Sequence, residues 1–159
     1  MVIKKAVYED LPGILDLQKL AYLSEAQLLN NYSIQPLTQT LQELEEEFDN
    51  HIILKLRDDS NDKIIGSVRA HEENDRVYVG KLMVHPDHQN KGFGKKLLEA
   101  IESIYENKTF ELFTSGKSEK NIQLYKNIGY KEFRREKASG DLEMIFMEKG
   151  YEPDVFTRI

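Results

Sequence analysis

The chain has no cysteine among its 159 residues. That absence excludes disulfides, thiolate metal sites and a cysteine nucleophile together. It also lacks any apolar run long enough to cross a bilayer. The N-terminal stretch Met1–Val7 is too short in its apolar part for a signal peptide and reads as a first strand. A cytoplasmic protein with no membrane association is therefore expected. Positive charge is in deficit, with 22 basic against 28 acidic residues and a net charge of −6. Phosphate neutralisation supplies most general nucleic-acid affinity, so no nucleic-acid partner is expected. The sign mildly favours a cationic partner. Acids crowd one segment (Glu43, Glu45, Glu46, Glu47 and Asp49), which reads as a solvated helix face. Two histidines, His85 and His88, stand close in sequence without a third clustered ligand, so no metal is expected.

What is present fits one domain over residues 1–159. Strands are read at Ile3–Val7, Ile52–Leu56, Lys63–His71, Arg76–Val84, Phe110–Thr114, Tyr130–Arg135 and Asp141–Glu148. Asn74-Asp75 marks a tight hairpin turn. Asp10 caps a helix carrying Leu11, Ile14, Leu15, Leu17 and Leu20, with Pro12 in its first turn. Further helices are read over Thr38–Phe48, from the glycine loop to Ile104, and over Asn121–Ile128, which Gly129 closes. In the helix that the glycine loop opens, Phe93, Leu97, Leu98, Ile101 and Ile104 face inward, while Lys95, Lys96, Glu99 and Glu102 face water. Tyr22–Pro36 reads as a loop or broken helix, interrupted by Asn30-Asn31. The order predicts a mixed α/β fold (α+β) around one sheet of about six or seven strands with about four helices.

The most informative stretch runs from Leu82 to Leu98. An apolar strand stops at Pro86, and a polar turn leads through Gly92 and Gly94 into an amphipathic helix. Such a turn aims several backbone N–H groups at one spot, at the positive end of a helix dipole, and so suits a phosphate or diphosphate. Two nucleotide motifs fail here. A dinucleotide fingerprint needs glycine where Leu97 stands. A P-loop ending at Gly94-Lys95 needs glycine at Gln89 and a hydroxyl at Lys96, and one ending at Gly116-Lys117-Ser118 needs glycine at Glu111.

What remains is Gln89-x-x-Gly92-x-Gly94 directly after a strand ending Leu-Met-Val, followed later by Ser118–Tyr130, a short helix with an aromatic-then-Gly-aromatic ending. These two motifs, in this element order, resemble the GNAT superfamily of acyl-CoA-dependent N-acetyltransferases over nearly the whole chain. The resemblance implies a GNAT-like, mostly antiparallel twisted sheet and a ternary-complex reaction. In that reaction an amine attacks the thioester of acetyl-CoA. It implies that the backbone of Leu82, Met83 and Val84 bonds the pantetheine arm and the acetyl oxygen, an N–H aimed at a developing oxyanion. It implies that Gln89, Asn90, Lys91, Gly92, Phe93, Gly94 and Lys95 cradle the diphosphate, and that Tyr125 protonates the departing thiolate. A phenol near pKa 10 is matched to a thiolate of pKa roughly 8.5 once water is excluded. Many family members carry Asn seven residues before this tyrosine. Here Ser118 stands there and Asn121 follows one turn later, and both are candidates for the cofactor arm.

An alkyl amine is only about 0.04% neutral at pH 7, so a base is expected. Family bases often sit on the fourth strand, where this chain has Tyr78 and Gly80. Glu72 and Glu73 are the candidate bases through water, with His85 as another. The acceptor pocket falls in the ambiguous segment, with Glu25 for a substrate ammonium and Tyr22 and Tyr32 as walls. The partner is then a small-molecule or peptide amine. Dimers are common in the family, which makes a homodimer the candidate assembly. The alternative function is an acyl-CoA-binding sensor that has lost turnover.

Overall fold

A computed structural model describes residues 1–150. Residues 151–159 lie outside the description. The sheet contains β1 (Val2–Lys5), β2 (Ile52–Arg57), β3 (Ile64–Glu73), β4 (Arg76–Val84), β5 (Thr109–Ser115), β6 (Lys131–Ser139) and β7 (Leu142–Lys149). Their spatial order is β1-β2-β3-β4-β5-β7-β6. Every neighbouring pair is antiparallel except β4 and β5, which are parallel. A parallel pair needs a crossover, and here the crossover carries the long amphipathic helix after β4. The Asn74-Asp75 turn is a two-residue hairpin with both residues left-handed (φ 52° and 65°), which matches the twist of the strands it joins.

The helices are α1 (Leu11–Ala21), α2 (Leu23–Leu29), the single turn α3 (Gln35–Thr38), α4 (Leu41–Phe48), α5 (Phe93–Glu102) and α6 (Glu119–Ile128). The stretch after Tyr22 is thus the broken-helix alternative. To the four helices expected it adds α2, which left-handed Asn30 stops, and the single turn α3. Thr40 opens α4, with its hydroxyl accepting from Glu43 N (3.2 Å) while Glu43 returns to Thr40 N (3.0 Å). Asp10 does not cap α1 with its side chain. Its carboxylate turns back to Val7 N (2.8 Å) and to the buried ammonium of Lys55 (2.5 Å).

Alternation along the strands splits the core. Leu54, Leu56, Val68, Ala70, Val77 and Val79 meet Leu97, Leu98 and Ile101 of α5 and Tyr125 of α6 on one face. Ile53 meets Leu11, Ile14 and Leu15 of α1 and Leu44 of α4 on the other. Gly66 lets α5 lie close, because a Cβ there would stand 3.0 Å from Leu97 Cδ1 and 3.2 Å from Leu56 Cβ. Two expected positions are corrected. Glu102 does not face water: its carboxylate accepts from Tyr130 OH (2.8 Å) and Lys149 Nζ (2.7 Å). Ile104 lies past the end of α5 and is exposed. No helix of the described residues is long and apolar enough to cross a membrane.

Candidate functional site

The site begins where the sheet comes apart. β4 and β5 are paired only from Arg76–Thr109 to Tyr78–Glu111, and then they diverge. On its other side β4 carries a bulge. Ser67 faces Met83 and Arg69 faces Gly80, so Lys81 and Leu82 together oppose Val68. Lys81 sits there in the left-handed region, at φ 51°. The widening cleft leaves strand-end carbonyls to side chains. Val84 O accepts from Gln89 Nε2 (3.1 Å), and Leu82 O has a long contact (3.5 Å) from Tyr22 OH. Gln89 therefore braces the glycine loop against the strand that leads into it.

The loop itself is wound by left-handed residues, Asn90 (φ 63°) and Gly92 (φ 83°), the latter standing at the N-cap of α5. Among the described residues, no backbone N–H from Asn90 to Lys95 donates to a protein acceptor, and the first helical bond is Lys96 N to Gly92 O (3.2 Å). These are the orphan donors of a helix start, gathered at its positive pole. Lys91 and Lys95 are exposed beside them. Phe93 instead points into the core, so only its amide faces the loop.

Across the cleft, Tyr125 is 7% exposed, and its hydroxyl has no hydrogen-bond partner among the described residues. Burial pushes its phenol well above the usual value, and the neighbouring Tyr22 and Glu25 add to the effect. Ser118, at the start of α6, does not cap that helix. Its hydroxyl reaches Glu25 Oε1 at 2.6 Å, 93 residues away in the chain. Asn121 lies one turn before Tyr125 and is partly exposed. Tyr22, Glu25, Ser118 and Tyr125 thus converge beside Leu82. Burial raises the Tyr22 phenol to about 12, opposed by the Arg69 cation and assisted by Glu25.

This shift carries a pH dependence. Between pH 10 and about 12 the native protein keeps a proton at Tyr22 that the unfolded chain has released. The associated stability is complete below pH 10 and is lost as pH rises through that window. Urea midpoints across this range are expected to fall more steeply for the wild type than for Tyr22→Phe.

Other expected residues lie elsewhere. Glu72 is at the far end of the β3–β4 hairpin, ion-paired to Lys108 (2.8 Å), and Glu73 pairs in register with Arg76 at the turn. Neither joins the Tyr125 ensemble. Tyr32 is 59% exposed and makes no hydrogen bond to that ensemble. His85 Nδ1 accepts from Asp87 N (3.1 Å) within its own turn. No group of three metal-ligating side chains occurs among the described residues. The sequence reading missed Arg69 and Lys81. Arg69 is 2% exposed, and its guanidinium is held by Glu47 (2.7 Å), Gln39 (3.2 Å) and Gln18. A charged residue flanked by Val68 and Ala70 within a strand was the available signal.

No curated protein sequence matches the chain. Among solved structures, it is similar to PaiA N-acetyltransferase from Thermoplasma acidophilum, crystallised with coenzyme A (21% identity, 94% of this chain and 98% of that one, TM-score 0.76). It is also similar to ribosomal-protein-alanine N-acetyltransferase from Brucella melitensis (19%, 95% and 100%, 0.74). A third is the GNAT phosphinothricin acetyltransferase from Sinorhizobium meliloti, in complex with acetyl-CoA (20%, 94% and 87%, 0.74). At these identities the likeness concerns the fold. Residues 14–130 match the model of the acetyltransferase (GNAT) family, and the chain belongs to that family.

Proposed function

We propose that this protein transfers an acetyl group from acetyl-CoA to a primary amine by direct attack in a ternary complex, within one domain. The observation that carries the reading is the parted β4–β5 edge running straight into a helix start whose amides have no partner. That continuity suits a ligand with an amide-bearing arm at one end and a diphosphate at the other. Two similar structures contain coenzyme A or acetyl-CoA.

In this reading the backbone of Leu82, Met83 and Val84 bonds the arm and polarises the thioester carbonyl. The amides of Gln89 to Lys95 hold the diphosphate, with Lys91 and Lys95 adding charge. Ser118 and Asn121 flank the arm near Tyr125. The bound ammonium first sheds one proton to water; the neutral amine nitrogen then bonds the acetyl carbon as the carbon–sulfur bond breaks, the Tyr125 hydroxyl gives its proton to the departing thiolate, and the second proton leaving nitrogen restores the tyrosine through water. Glu25, fixed by Ser118, holds the incoming ammonium, with Tyr22 as a wall. Glu72 and Glu73, at the far end of the hairpin, are given no role in this reading.

Thiol release from acetyl-CoA with a panel of amines tests this. At least one amine class is expected to drive release in proportion to acetylated product. Binding of acetyl-CoA with no release for any amine would favour a non-catalytic acyl-CoA sensor and contradict the enzyme reading.

A further inference from the structure

We propose that the acceptor is a free amino acid, its ammonium at Glu25 and its carboxylate held by Lys81 with Arg69 behind it. This rests on the acetyltransferase reading and extends it to the substrate class.

Three observations carry it. Lys81 is the bulge residue of β4, adjacent to Leu82 and held in a left-handed conformation that a lysine seldom adopts. Such strain collects where a side chain is aimed for function. Second, Lys81 is partly buried and makes no ion pair among the described residues. A lysine with no task extends its ammonium to water. Here burial and the facing Arg69 cation lower its pKa, and Glu47 offsets this only in part. Third, the carboxylate that acts on Lys81 among the described residues, Glu47, is already engaged. Glu47 bonds Arg69 Nη1, while Arg69 Nε is buried with no partner at all. Two cations and one anion leave a positive pole in a molecule whose net charge is −6.

The pole has an opposite. Tyr22 links the two by contact: it precedes Glu25 by three residues at the start of α2, and Lys81 adjoins Leu82 in the β4 bulge. The Tyr22 hydroxyl touches Leu82 O, at the edge of the cleft. A molecule placed across Tyr22 with an ammonium toward Glu25 and Tyr125 and a carboxylate toward Lys81 satisfies both ends. A polyamine or a peptide N-terminus brings no anion to the second.

The test compares each free amino acid with its carboxamide, and with linear polyamines, in the wild type, Lys81→Gln and Lys81→Arg. The wild type is expected to prefer the carboxylate form by at least about tenfold in kcat/KM. Lys81→Gln reduces that ratio to near one, while Lys81→Arg keeps it. Equal use of acids and amides, better use of polyamines, or a ratio unchanged in Lys81→Gln overturns the proposal. Calorimetric binding of the same amino acids to protein saturated with coenzyme A reads the pole without turnover. Lys81-dependent binding with no acetylation of any amine would remove the enzyme reading and with it the acceptor role, whereas acetylation of other amines with no binding of amino acids would remove this inference alone.

Discussion

Tyr125→Phe is expected to lower kcat by roughly 10²–10³-fold while leaving the KM for acetyl-CoA little changed. The hydroxyl has no protein partner among the described residues, so its removal strands no buried donor or acceptor and the helix packing stays as it is. What is lost is a proton source for the departing thiolate. Burial pushes the phenol above its usual value, which would weaken it as an acid toward a thiol in water. The same dry cleft destabilises the departing thiolate, however, so donor and acceptor rise together. The variant's defect should therefore persist past about pH 8.5, the ordinary thiol value, and narrow only at higher pH. Steady-state thiol release across pH, with thermal unfolding as the control for the fold, checks this. Full turnover at neutral pH would take Tyr125 out of the chemistry.

Gly92→Val is expected to weaken acetyl-CoA binding by about 10–100-fold and to spare kcat at saturation. Gly92 lies at φ 83°, where a side chain costs roughly 1–2 kcal/mol and a β-branched one more. The added Cβ meets nothing within 4 Å, so the core is not disturbed. The chain relieves the strain by turning the loop, and the amides of Phe93, Gly94 and Lys95 lose their common aim. An unchanged dissociation constant would mean that those donors do not hold the cofactor.

Much of this was legible in the residues. Alternation in Lys63–His71 and Arg76–Val84 and the Asn74-Asp75 turn located the central hairpin, because period and turn chemistry are local signals. Gly92, Gly94 and Gln89 located the loop for the same reason, although its bracing bond to Val84 O was not foreseen. The elements that failed depend on tertiary contact. Glu102 looks solvent-facing by helical period, yet Tyr130 and Lys149 arrive from elsewhere to bind it. The bond from the Ser118 hydroxyl to Glu25 joins residues 93 apart, which no local signal announces. The bulge at Lys81 has no signature in a single sequence, since it is defined by what β3 places opposite.

The most direct measurement is a calorimetric titration of the purified protein with acetyl-CoA, set beside S-acetylpantetheine, which keeps the arm and thioester but has no diphosphate. Saturable binding of acetyl-CoA at one per chain, with S-acetylpantetheine far weaker, is the predicted result. No heat with acetyl-CoA, or equal affinity for the two, would contradict a diphosphate seated on the unpaired amides of the Asn90–Lys95 loop.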